Sequence, residues 1–147
     1  MGHQRQSFWE ESSTIWKIQR RCLRLDEWKR YVIEMGMGID QHGQDPTKAA
    51  IKAVKDAISR VCAVGLVELF DFNPKNIRIE SIIGVPYPEL VEIEKVKAAI
   101  PLECKKDVNI IEGGLKGPGI ALKEFGDKTD EILIAVAFIT IYVRRGT

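Results

Sequence analysis

The run Glu131-Ile-Leu-Ile-Ala-Val-Ala-Phe-Ile-Thr-Ile-Tyr-Val143 limits the fold more than any other segment of the chain. Ile132, Ile134, Val136 and Phe138 alternate with Leu133, Ala135, Ala137, Ile139 and Ile141, so an extended strand here is apolar on both faces. The densest part, Ile132 to Val143, is of strand length and falls short of the roughly 18 apolar residues that a membrane helix needs.

The rest of the chain supplies the elements that such a strand packs with. Tyr31, Ile33, Met35, Met37 and Ile39 alternate with Val32, Glu34, Gly36 and Gly38, giving a strand over 31–39 with one bulky face and one nearly bare face. Asp45 then reads as a helix N-cap with Pro46 at the first helical position, and the spacing predicts a helix over 46–62. Ala50, Ile51, Val54, Ile58, Val61 and Cys62 share its apolar stripe. Gly65 ends this helix, Val67–Phe70 continues it briefly, and Asn73-Pro-Lys-Asn76 is a turn by composition. A strand over 77–85 stops against Pro86 and Pro88, a second helix covers 89–100, and a third strand covers 108–111. The segments 113–119 and 126–130 read as loops before the last strand.

The resulting order, β-α-β-α-β-β, is an α/β (α+β) domain with a mixed sheet. Crossover connections of one hand place both helices on one face. The opposite face keeps a row of apolar side chains too large for an isolated monomer, so the sequence predicts a homo-oligomer assembled through that face. The competing reading is that the N-terminal residues cover it.

Those residues form a separate part. Residues 1–29 read as an N-terminal extension and 30–145 as the α/β domain. Residues 1–30 hold seven basic against four acidic side chains and all three tryptophans, and Ile15, Ile18, Cys22 and Leu25 recur at roughly helical spacing. A basic amphipathic helix here would suit an organelle-targeting prefix, but Glu10, Glu11, Asp26 and Glu27 do not suit an acid-poor transit peptide. The expected compartment is reducing and soluble, cytoplasmic or an organellar stroma or matrix. Over the whole chain, 22 Lys and Arg face 21 Asp and Glu, which gives no electrostatic reason to expect a nucleic-acid or membrane partner. Cys22, Cys62 and Cys104 are an odd number without a CxxC pair, so neither a disulfide framework nor a structural zinc site is indicated. Cys62 is expected in the core of the first helix, and Lys105 and Lys106 are positioned to lower the pKa of Cys104.

Two glycine-rich segments carry the candidate chemistry. In Gly36-Met-Gly38-Ile-Asp40-Gln-His42-Gly43-Gln-Asp45, Asp40 could orient His42 as a general base, or these groups could converge with Asp45 on a metal. The helix start after Asp45, with Lys48 nearby, could hold a small anion. The structural alternative is a tight turn in which the glycines supply backbone freedom and Asp45 only caps. No dinucleotide-binding unit is completed, because the third glycine falls at 43 and no acid follows a second strand in the usual place. In Glu112-Gly113-Gly114-Leu-Lys116-Gly-Pro-Gly119, backbone amides could approach a ligand flanked by Glu112 and Lys116; the alternative is a surface connection.

The run Gly36-Met-Gly-Ile-Asp-Gln-His-Gly43 resembles the GxGxDxHG signature of the Lin family of conserved hypothetical proteins. The likeness extends through Asp45-Pro-Thr-Lys-Ala-Ala50, Val85-Pro-Tyr-Pro88, Glu112-Gly-Gly114, Pro118-Gly119 and Gly126-Asp127. It implies no particular activity. In element order the chain also resembles the Bacillus-type chorismate mutase fold, which implies a homotrimer with ligand sites between subunits. The ring-opening amidohydrolases resemble it by architecture alone, and the catalytic groups of neither enzyme are matched here. The expected function is a small-molecule-binding or hydrolase-like trimer acting on a polar metabolite. Asp40, His42 and Lys116 would be its catalytic groups, and Gly36, Gly38, Gly43, Asp45, Lys48, Glu112, Gly113 and Gly114 its ligand-binding set. Cofactor and metal are left open by the sequence, and the alternative is a non-catalytic assembly protein whose glycines serve packing.

Overall fold

A computed structural model describes residues 28–70 and 72–144. Its strands are β1 (Lys29–Asp40), β2 (Ile77–Val85), β3 (Lys105–Glu112), β4 (Leu115–Pro118) and β5 (Glu131–Val143). Its helices are α1 (Pro46–Ser59), the single turn α2 (Gly65–Glu68) and α3 (Ile93–Ala98). The N-terminal extension expected over 1–29 lies outside the described residues except for Trp28 and Lys29.

The strands form one five-stranded mixed sheet in the order β1-β5-β2-β3. β5 runs antiparallel to both of its long neighbours, while β2 and β3 are parallel. β1, β2 and β3 therefore all end at the same edge of the sheet. β5, the strand apolar on both faces, is flanked on both sides. One face of it, Leu133, Ala135, Ala137, Ile139, Ile141 and Val143, is buried with Ile79, Ile83 and Val85 of β2 beneath the helices.

α1 lies directly on the bare face of β1. A Cβ on Gly36 would stand 2.2 Å from the Ala53 carbonyl oxygen, and one on Gly38 would stand 2.1 Å from that of Ala49. Ala49, Ala53 and Ala57 are themselves fully buried, so strand and helix touch through glycine on one side and alanine on the other. The helix leans over the free edge of β1. Lys52 donates to the Ile39 carbonyl, Asp56 accepts from the Met37 amide, and Arg60 donates to the Met35 carbonyl. An edge strand whose polar groups are met by helix side chains offers little to an incoming strand.

Several expected boundaries are corrected. α1 ends at Ser59, and the Arg60 side chain turns back to Asp56, so Cys62 is exposed and not part of the core. The helix expected over 89–100 forms only at Ile93–Ala98. Tyr87 takes a left-handed conformation (φ 58°), Pro88–Leu90 makes one tight turn, and the Glu92 amide donates to Thr47 Oγ1 of α1. That tertiary bond takes a donor from the position where a continuous helix would need it. The segment expected as a glycine-rich loop contains β4, which pairs with Glu131–Ile134. β2 leaves β5 after pairing Gly84 with Val136, and β4 takes over the vacated edge. A β-bulge between Arg30 and Val32 turns Tyr31 out of the Ile33–Met35–Met37 row, and its ring meets Phe70 edge-on at 5.7 Å.

The sheet face away from the helices carries Ile33, Met35 and Met37 of β1, Val136 and Phe138 of β5, Ile82 of β2 and Ile111 of β3, and all seven are exposed. Met35 pairs with Phe138 and Phe138 with Ile82, so this is one continuous apolar surface. Among the described residues no helix is long and apolar enough to cross a membrane.

Candidate functional site

Asp40 is the last residue of β1 and is 3% exposed. Its carboxylate accepts the Asp45 amide at 2.9 Å, closing the intervening loop, and stands 3.8 Å from Lys52 Nζ. The loop turns through left-handed backbone at Gly43 (φ 92°) and Gln44 (φ 48°). Asp45 then caps α1, accepting from the Thr47 amide at 2.9 Å and the Lys48 amide at 3.2 Å. Lys48 Nζ lies 3.9 Å from the other Asp45 oxygen.

His42 does not pair with Asp40. Its Nδ1 lies 2.8 Å from Asp127 Oδ2, a residue 85 positions away on the loop before β5. Asp127 also accepts from the Leu122 amide (2.8 Å), the Gly43 amide (2.7 Å) and Gln44 Nε2 (3.3 Å). These donors, the Leu122 amide foremost and then His42, hold its carboxyl well below the usual carboxylate range. An ionised carboxylate only accepts, so Nδ1 of His42 must carry the proton and Nε2 is left as the basic nitrogen. The ring rests on Phe125 at 4.9 Å between centroids, and the side chain is 38% exposed. A fixed tautomer on a half-exposed imidazole is the arrangement that a general base requires.

A second cluster lies at the same end of the sheet. Tyr87 donates its hydroxyl to Glu131 Oε2 at 2.9 Å, and Lys116 Nζ donates to that hydroxyl at 3.0 Å. Lys116 stands 3.6 Å from Glu131 Oε1 and 4.7 Å from the centre of the Tyr87 ring. The Tyr87 hydroxyl, then the Glu131 charge, raise the Lys116 pKa and keep its ammonium protonated. Gln44 ties the two clusters together. Its Nε2 donates to the Glu131 carbonyl at 3.2 Å, and its Oε1 accepts from the Lys128 and Thr129 amides.

The expected site residues thus separate into groups. His42, Gly43, Asp45, Lys48 and Lys116 lie at the sheet end where β1–β3 terminate, with Asp40 buried beneath the first loop. Gly36 and Gly38 are covered by α1, which fills the space that a ligand would need on that side of the strand. Gly113 and Gly114 serve the crossing of the chain from β3 to β4. A Cβ on Gly113 would be 3.1 Å from Gly84 Cα, and one on Gly114 (φ 68°) would be 2.0 Å from the Ile134 carbonyl oxygen. Glu112 is exposed at the end of β3. Among the described residues no group of three or more His, Cys, Asp or Glu is arranged to hold a metal ion. Asp127, Gln44, Tyr87 and Glu131 were not expected. The available signals were the Gly-Asp pair at 126–127 and a tyrosine held between two prolines at 86 and 88. Cys104 is also corrected: burial raises its thiol pKa, outweighing the attraction of Lys106.

The molecule is therefore a mixed α/β domain with helices on one sheet face and a carboxylate-oriented histidine at the ends of its parallel strands. The chain belongs to the Lin0512 family of conserved hypothetical proteins, whose model matches residues 30–141. It is similar to an FtsZ-like protein of unknown function from Nostoc punctiforme PCC 73102. The two are 43% identical and superpose with a TM-score of 0.72, over 82% of this chain and 99% of that one. No curated protein matches the chain.

Proposed function

We propose that the protein acts on a polar small molecule by general acid–base chemistry, with His42 Nε2 exchanging the proton and Lys116 stabilising negative charge. The observation that carries this reading is the His42–Asp127 pair. A carboxylate collecting four donors is more than a turn needs, and it presents one defined imidazole nitrogen. Asp40 supports the loop from below, and Asp45 and Lys48 stand where the loop enters α1. Ligands of open α/β sheets commonly bind beyond the carboxyl ends of the strands, which is where these groups stand.

The working form is a homo-oligomer, a trimer, in which copies cover one another's exposed apolar sheet face. In a domain of this size, so large an apolar face is most simply covered by another copy of the same domain. The resemblance in element order to the trimeric chorismate mutase architecture agrees with this.

The test is saturation-transfer NMR of the full chain against a panel of small carboxylates, carboxamides and phosphomonoesters, with His42→Ala and Lys116→Ala beside the wild type. At least one class binds the wild type and neither variant, while melting temperature and oligomeric state are retained. If both variants lose assembly and no class binds the wild type, the second reading stands: an assembly protein whose glycines serve packing. The backbone contacts of Gly36, Gly38 and Gly114 favour that reading for the glycines themselves.

A further inference from the structure

At the other end of the helix layer, under the last turns of α1, lies a pocket of about 240 Å³. Sheet residues Val32, Ile79 and Ile141 form its floor, and Ala57, Leu66 and Ile100 stand among its walls. It is distinct from the polar site, because Val32 and Asp40 are eight positions apart on one strand, about 26 Å. One charged side chain, Glu34, belongs to its lining. Arg60 Nε lies 3.8 Å from Glu34 Oε1, but the terminal nitrogens of Arg60 are engaged by Asp56 and by the Met35 carbonyl. Glu34 Oε1 also accepts the Met35 amide at 3.2 Å, so Oε2 is the acceptor that remains at the border of an apolar space. α2, a single turn, closes part of the pocket through Leu66, while Val64, Val67 and Leu69 around it are exposed.

Water gains little in a space with so few polar partners, and apolar cavities of about 150 Å³ are known to stay dry and take up benzene. A volume of 240 Å³ admits a body larger than benzene, on the order of nine or ten heavy atoms. We propose that this pocket binds a compact apolar molecule, a fused aromatic ring or short alkyl chain, bearing one hydrogen-bond donor directed at Glu34. This inference is independent of the acid–base reading of the polar site.

Indole is a suitable probe, because it has the required size and a single N–H donor, and 1-methylindole lacks only that donor. Both are titrated into the full chain by calorimetry, with carbon-13 methyl spectra reporting on Leu66, Ile79 and Ile141. Indole saturates and shifts those methyls, and 1-methylindole binds about tenfold more weakly for loss of the charge-assisted hydrogen bond. Glu34→Met makes the two ligands bind alike. Ala63→Leu, which fills the pocket, abolishes binding without lowering the melting temperature; Val67→Phe tests the same point from α2 if that variant does not fold. The proposal is overturned if neither indole saturates at millimolar concentration, if the shifted methyls lie elsewhere, or if binding survives filling of the pocket.

Discussion

Asp127 joins loops 85 residues apart, and its charge is what holds them together. A carboxyl with a folded-state pKa below its unfolded value of about 3.9 contributes stability that is complete above about pH 4 and is lost as pH falls through the folded value. Acid unfolding of the wild type should therefore include a component below pH 4 that Asp127→Asn lacks, read by far-UV circular dichroism. The same variant should release the His42 tautomer, so that proton–nitrogen correlation spectra show Nδ1–H and Nε2–H forms together. Thiol chemistry gives a second contrast. Peptide mapping after brief iodoacetamide treatment should find exposed Cys62 alkylated well before Cys104, whose thiolate burial disfavours. At this scale the sequence showed that His42 and Lys116 were chemically interesting, because they interrupt glycine-rich segments. It could not show their partners, since Asp127 and Tyr87 are brought in by loop closure over 85 and 29 residues.

The defining contact between elements is α1 on β1. Because a Cβ at either glycine would meet helix backbone and not a movable side chain, Gly36→Ala and Gly38→Ala should each cost about 3 kcal/mol or more in denaturant unfolding. The Asp56 carboxylate, whose pKa is lowered chiefly by the Met37 amide and further by Arg60, protects the strand edge. Asp56→Ala should speed hydrogen exchange at the Met37 amide by about tenfold, with smaller effects at the amides paired to β5. The alternation of β1 and β5, the proline-initiated α1 and the strand ended by Pro86 were legible as patterns. β4 was not, because Leu115-Lys-Gly-Pro118 has no strand period of its own and becomes a strand only where β2 has left β5 unpaired. The shortening of the second helix was equally hidden, since it follows from a Glu92 amide bonded to Thr47.

For the whole molecule, the consequence with most weight is the exposed apolar sheet face. If the proposed assembly forms through this face, Phe138→Lys and Met35→Lys, at paired positions on it, should leave a monomer in light scattering after size exclusion, with the circular dichroism spectrum retained. A wild type that is already monomeric at micromolar concentration would remove the argument for assembly. The prediction of such a face came from the sequence alone, because an apolar pattern on both sides of β5 together with helices on one side leaves the other side uncovered by them. Local patterns determined the elements and the class, since period, caps and prolines act within a few residues of the chain. Only the tertiary structure decided the strand order, the pairing of His42 with Asp127 and of Lys116 with Tyr87 and Glu131, and the packing role of the glycines. Those are contacts between segments distant in sequence, and their energies exist only once the sheet has brought the segments together.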